Sequence, residues 1–170
     1  MSGVLAQWNR LPLEEAAKEI FSCCGSQAWA KEMAARRPFP DVTTLIAACD
    51  ETWSNLTATD WIEAFRSHPR IGESHAAKSA SLQSVNWSAQ EQRNVDAAGE
   101  GIKIALAEAN QEYEQRFRHI FIVCAAGKSA REILEILRRR LQHDEHTELC
   151  EAAEQQQLIM HIRVKKWLSE

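Results

Sequence analysis

Residues 88–118 read SAQEQRNVDAAGEGIKIALAEANQEYEQRFR, and this stretch decides the fold class. Within it Val95, Ala98, Ile102, Ala105, Ala109, Tyr113 and Phe117 recur three and four residues apart, the spacing that lines one face of an α-helix. At its head Ser88-Ala89-Gln90-Glu91 has the form of a capping box, a serine and a carboxylate satisfying each other's backbone amides. The stretch predicts one long amphipathic helix from Ser88 to about Arg118.

Helix signals recur in both directions from there. Upstream, Pro12 suits a first helical position, Glu14 and Glu15 follow it, and Gly25 stands past Cys24 as a stop. Ser26 caps the next helix, through Trp29 and Met33 to Arg37, where Pro38 disfavours helical geometry. Asp41 caps a third, with Leu45, Ala48, Cys49 and Thr52 on one stripe and Trp53 close by. A short fourth starts near Thr59, turns Trp61, Ile62 and Phe65 inward, and ends by Ser67 or His68 because of Pro69. Residues 70–86 hold Gly72, repeated serines and no sustained period, which predicts a mobile or ligand-facing loop, with a short helical turn as the alternative in its Ala/Lys/Ser stretch.

Downstream, Phe121-Ile122-Val123-Cys124 is the one strand-like run, too short to distinguish from a buried extended segment, and a lone strand makes no sheet. Ser129-Ala130-Arg131-Glu132 is a second capping box, opening a helix with Ile133, Leu134, Leu137 and Leu141 on its core side. A final helix covers about Thr147 to Trp167. With no repeat, low-complexity tract or linker in view, the expectation is an all-α, single-domain bundle of about seven to nine helices over residues 1–170.

The composition agrees. Among 170 residues, 20 Lys and Arg against 24 Asp and Glu give a net charge of −4, with 45% hydrophobic residues. That is a globular profile, which excludes disorder and a collagen-like fibre. The longest uncharged apolar run, Ile120 to Gly127, is far short of the roughly 20 residues a membrane helix needs. The first residues carry no secretory pattern, so a cytoplasmic chain is expected. A pI near 5.9 argues against nucleic acid as partner, and Arg138-Arg139-Arg140 reads as a solvated helix face. Five cysteines without a C-x-x-C read as reduced packing residues.

Four motifs bear on chemistry. Gly127-Lys128-Ser129 resembles the end of a phosphate-binding loop, but Ile122 stands where a glycine is needed, and Ser129 reads as a helix cap. His143-Asp144-Glu145-His146 offers imidazoles and carboxylates to a divalent metal, or a solvated helix C-terminus where imidazolium suits the dipole. His68, before Pro69 and between Arg66 and Arg70, is either a packed histidine or an imidazole aimed into a cleft, where nearby cations favour the neutral form that general acid/base chemistry uses. Glu91 is either a capping carboxylate or a functional one.

Three segments taken together go further. Phe65-Arg66-Ser67-His68-Pro69-Arg70-Ile71-Gly72, then Trp87-Ser88-Ala89-Gln90-Glu91-Gln92, then Phe121-Ile122-Val123-Cys124-Ala125 resemble, in that order, the 2-oxo-4-hydroxy-4-carboxy-5-ureidoimidazoline (OHCU) decarboxylases of urate breakdown. The resemblance covers nearly the whole chain. It implies an all-helical enzyme without cofactor or metal, a small-molecule substrate (OHCU) and product (allantoin), and a homodimer. By the same resemblance His68 and Glu91 are catalytic. Pro69, Ser88, Ala89, Gln90, Glu91, Gln92, Phe121, Ile122, Val123, Cys124, Ala125 and Arg163 contact substrate, with Arg131 or a neighbour as the alternative to Arg163. Arg70 and Ile71 stand where that family often has Asp and Leu.

That chemistry suits these residue types. Loss of carbon dioxide leaves electrons on the imidazoline ring, so donors are needed where negative charge develops, and an acid must protonate the new carbanion from one face. Two other readings stay open on the residues alone. One is a metal-dependent hydrolase of a ureido or amide compound using His143, His146 and a carboxylate. The other is a non-enzymatic helical module whose Trp-rich faces bind a partner.

Overall fold

A computed structural model of the protein describes residues 3–72 and 81–170, with Asp96 described through its backbone only. The described residues form ten helical segments and no strand. They divide into two compact units, Met1–Ala64 with Gln157–Glu170, and Phe65–Gln156.

The first unit holds α1 (Gly3–Trp8), α2 (Leu13–Cys24), α3 (Gln27–Ala35), α4 (Val42–Ser54), most of α5 (Ala58–Arg66) and the end of α10 (Glu145–Trp167). Local chemistry sets its boundaries. Gly25 adopts φ 85° and its N–H closes α2 on the Phe21 carbonyl, a left-handed stop that glycine tolerates without strain. Ser26 and Asp41 accept the amides of Trp29 and Thr44, as their spacing predicts. Pro12 sits one residue outside α2 instead of at its first position, and α1 is an addition that the sequence reading lacks.

Four of this unit's five tryptophans are core, and Trp61 is half-buried. Trp8 donates its indole N–H to the Ala16 carbonyl at 2.9 Å and meets Phe39 and Trp167 at ring distances of 6.0 and 5.4 Å. Trp29 and Trp53 are buried as well, each such side chain being worth about 1.5–3 kcal/mol or more of burial. Cys23, Cys24 and Cys49 pack among them as free thiols. Burial raises all three thiol pKa values, Cys24 to about 12, so they stay protonated.

The second unit holds α6 (Leu82–Glu91), α7 (Arg93–Asp96), α8 (Glu100–Phe117), α9 (Ala130–Arg140) and the start of α10. Here the long helix expected from Ser88 is overturned. Ser81, not Ser88, caps a helix by accepting the Ser84 amide, Ser88 through Glu91 form that helix's last turn, and breaks at Gln92 and at 97–99 separate α6, α7 and α8. The periodicity is right and the continuity is wrong. Val95, Ala109, Tyr113 and Phe117 are buried on one core with Leu106, and Ala98, Ile102 and Ala105 pack against it. The predicted loop at 70–86 is helical from Leu82 onward, while its residues 73–80 lie outside the described residues. Its inward stripe, Ser84, Trp87, Ser88 and Gln92, is mostly polar, which is why hydropathy does not reveal it.

α9 begins at the Ser129–Glu132 capping box and buries Ile133, Leu134 and Leu137, with Leu141 following as its C-cap, as expected. Between α8 and α9 the run 121–125 is buried without being a strand. The count of ten exceeds seven to nine because α1 is added and the long helix is divided.

Candidate active site

His68 follows the last turn of α5, its amide closing on the Phe65 carbonyl at 3.1 Å, and the residue is 9% exposed. The three residues after Pro69 are held one by one. Arg70 makes a two-pronged ion pair with Glu114 of α8, the Ile71 carbonyl accepts the buried amide of Asn110 at 3.0 Å, and the Gly72 N–H donates to Gln92 Oε1 at 3.1 Å. Gly72 adopts φ 86°, which only glycine takes freely. The segment carrying the imidazole is thus fixed at both ends, by a helix terminus before it and by three side chains after it.

The end of α6 supplies the second segment. Helical spacing buries Ser88 and Gln92, leaves Glu91 half-buried, and turns Ala89 and Gln90 to solvent. Gly72 offers a donor, so it takes the carbonyl end of the Gln92 amide and leaves the –NH₂ end to donate elsewhere.

The third segment is pinned through its backbone. The Ile122 carbonyl accepts Arg140 Nη1–H at 2.7 Å, the Cys124 N–H donates to Gln155 of α10 at 3.0 Å, and the Cys124 carbonyl accepts Lys128 at 2.8 Å. Among the described residues no group takes up the amides of Phe121, Ile122, Val123 or Ala125, although all four residues are buried. Buried N–H groups are nearly always paired, so this row is suited to receiving a ligand's acceptors.

Within one unit the first segment is tied directly to the second, and residues flanking the second and third make the remaining contacts. Gly72 and Gln92 join the first to the second; Asn94, two residues past the second, donates to the Lys128 carbonyl, three residues past the third, at 3.3 Å, and Phe65 of the first meets His119, two residues before the third, at a ring distance of 5.3 Å. His119 lies among Phe65, Tyr113 and Phe117, bonds the Ile120 carbonyl through Nδ1, and burial lowers its pKa below the usual imidazole value.

Behind the third segment is a network that sequence reading misses. Arg140 and Glu148 are both fully buried, with Arg140 Nε–H on Glu148 Oε1 at 2.9 Å. Tyr113 donates its hydroxyl to the same carboxylate, and His143 Nδ1 lies 3.0 Å from its other oxygen. Desolvation raises the Tyr113 phenol pKa, keeping it a donor. The basic cluster is therefore not one solvated face: Arg138 and Arg139 are exposed and Arg140 is inside. The only sequence signal is position, since Arg140 falls three residues after Leu137 on the core stripe.

The remaining candidates separate. His143 follows α9 and His146 lies in the first turn of α10, with Asp144 capping that helix, so the pair does not sit at a single helix C-terminus. Ligand atoms of His143, Glu148 and Glu151 lie within 4.8 Å of one another, without His146, whose Nε2 is 3.9 Å from Cys150 Sγ. Guanidinium groups of Arg140 and Arg139 already face Glu148 and Glu151, which leaves a dication little uncompensated charge. Lys128 is spent on the Cys124 carbonyl and Ser129 on its cap. Arg163 belongs to the other unit, is fully buried there and reaches the Ser22 carbonyl at 3.5 Å, whereas Arg131 is exposed. Five of the six tryptophans are buried and Trp61 is half-buried, so Trp-rich faces are not on display. No helix among the described residues is long and apolar enough to cross a membrane.

Comparison with known proteins follows the same lines. The sequence model of one family, OHCU decarboxylase, matches residues 9–165. The uric acid degradation bifunctional protein TTL of Arabidopsis thaliana is 34% identical over 149 residues, 87% of this chain. The chain spans 46% of that protein's length. The 2-oxo-4-hydroxy-4-carboxy-5-ureidoimidazoline decarboxylase of Haloferax volcanii is 24% identical, over 97% of this chain and 96% of its own. A crystal structure of an OHCU decarboxylase in the presence of (S)-allantoin superposes with a TM-score of 0.77 at 32% identity, covering 89% of this chain and 98% of that one.

Proposed function

This chain belongs to the OHCU decarboxylase family, and from that premise we propose that it is a cofactor-independent carboxy-lyase converting 2-oxo-4-hydroxy-4-carboxy-5-ureidoimidazoline to (S)-allantoin in urate breakdown. The observation that supports the reading is the hydrogen bond from Gly72 to Gln92, which ties the segment carrying the buried His68 to the end of α6. Such an arrangement fixes the segment that carries the proton donor, as a reaction that protonates a carbanion from one face needs.

His68 delivers the proton to the carbon that loses carbon dioxide, from one face only. Glu91 orients the imidazole or binds the substrate hydroxyl and ureido group. Gln92, whose carbonyl is spent on Gly72, presents its –NH₂ to a ureido or ring carbonyl, and amides near Val123 hold the other carbonyl. Buried Ser88 and half-buried Pro69 line the same site. Arg163, carried over from the family resemblance, pairs a substrate anion through a guanidinium fork. The chain works as a homodimer in the cytoplasm.

The test is circular dichroism of freshly generated substrate with wild type and with His68→Ala. Wild type gives optically active allantoin rapidly, and the variant keeps its helical spectrum while losing about 10²- to 10⁴-fold in rate, the usual share of a general acid. Allantoin that stays racemic with wild type overturns the reaction; a variant with wild-type rate overturns the assignment of His68.

A further inference from the structure

We propose that the buried Arg140–Glu148 pair is a positioning pair that aims the Val123 amide at a carbonyl oxygen of the bound substrate; the proposal rests on the decarboxylase reading above. Sealing a guanidinium and a carboxylate away from water desolvates both, and their attraction roughly offsets that loss, so apolar residues of similar size stabilise a core as well or better. Both side chains here are 0% exposed. What apolar residues cannot do is hold a backbone carbonyl, and Arg140 places Nη1–H 2.7 Å from Ile122 O while its guanidinium carbon stands 4.7 Å from the centre of the Phe121 ring.

Planarity of the peptide bond turns that contact into a direction. The Ile122 carbonyl and the Val123 N–H belong to one trans peptide unit and point to opposite edges of it. Fixing the carbonyl on Arg140 therefore points the Val123 N–H the other way, and among the described residues nothing takes it up. The Cys124 carbonyl held by Lys128 does the same for the Ala125 N–H, two peptide units further. Glu148 keeps the guanidinium plane from turning, because it binds Nε–H and is itself held by Tyr113 and His143.

Two variants of the full chain test this. Arg140→Lys keeps the charge but has no fork to serve Glu148 and Ile122 together. Arg140→Met with Glu148→Leu removes the hook while leaving no unpaired buried charge. The expected result, in both, is a retained helical spectrum with KM for substrate and Kd for allantoin raised by about tenfold and kcat changed by less than about threefold, the pattern of lost uniform binding. A lowered Tm with KM and Kd unchanged overturns the proposal, because a merely structural pair would move stability alone. Loss of the fold in both variants overturns it too. Wild type without turnover sinks the decarboxylase reading and this proposal with it, whereas turnover by wild type with unaltered KM in folded variants sinks the positioning role only.

Discussion

Replacing Asn110 by alanine separates two of the three anchors of the turn after His68-Pro69. Asn110 is 4% exposed and its amide reaches the Ile71 carbonyl at 3.0 Å, so the change leaves a buried carbonyl without its partner, at about 1–3 kcal/mol. The neighbouring anchor is a pair of charges at the surface, Arg70 and Glu114, whose side chains are 46% and 24% exposed. Solvent screens that pair, so Glu114→Gln costs no more than about 1 kcal/mol. For a chain of this length each kcal/mol moves Tm by about 2–4 °C, so a mid-range loss in Asn110→Ala shows as about 4–8 °C. Because the released turn leads directly from the imidazole, kcat/KM falls as well, by about tenfold. Urea titration with an unchanged slope, thermal melting and steady-state kinetics on both variants measure these quantities. If Glu114→Gln costs more than Asn110→Ala, or if Asn110→Ala is neutral, the buried amide is not what holds the turn.

Two further outcomes follow from the titratable groups. Burial holds His119 below its ordinary pKa of 6.5, so the unfolded chain takes up that proton first as pH falls. Its contribution to stability is full above about 6.5 and is lost progressively below, and His119→Gln should flatten the slope of unfolding free energy with pH in that acidic window; an unchanged slope would refute the assignment. Of the five thiols only Cys150 is partly exposed, the other four being buried. A thiol reagent should therefore modify one cysteine rapidly in the native protein and the rest on unfolding, and rapid reaction of two or more would contradict the packing described.

Much of the helical framework follows from local chemistry that sequence displays. The caps at Ser26, Asp41 and Ser129 and the stop at Gly25 lie where short-range hydrogen bonding puts them, and the stripes of α4 and α9 are buried as their spacing demands. The segments around His68, Ser88–Gln92 and 121–125 are likewise legible as motifs, and they carry the family resemblance. What sequence alone misjudged shares one cause. Ser88-x-x-Glu91 is a capping box by pattern, yet it ends α6, because Ser81 caps that helix first and its inward stripe is polar. Arg140 is indistinguishable in composition from Arg138 and Arg139, yet it alone is buried, because a carboxylate eight residues on and the Ile122 carbonyl meet it inside. Hydropathy patterns record which face of an element avoids water. They do not record which buried polar groups find one another, since those partners are brought together only when the chain folds, and that pairing is what fixes the Ile122 carbonyl on Arg140 and the turn at Ile71 and Gly72.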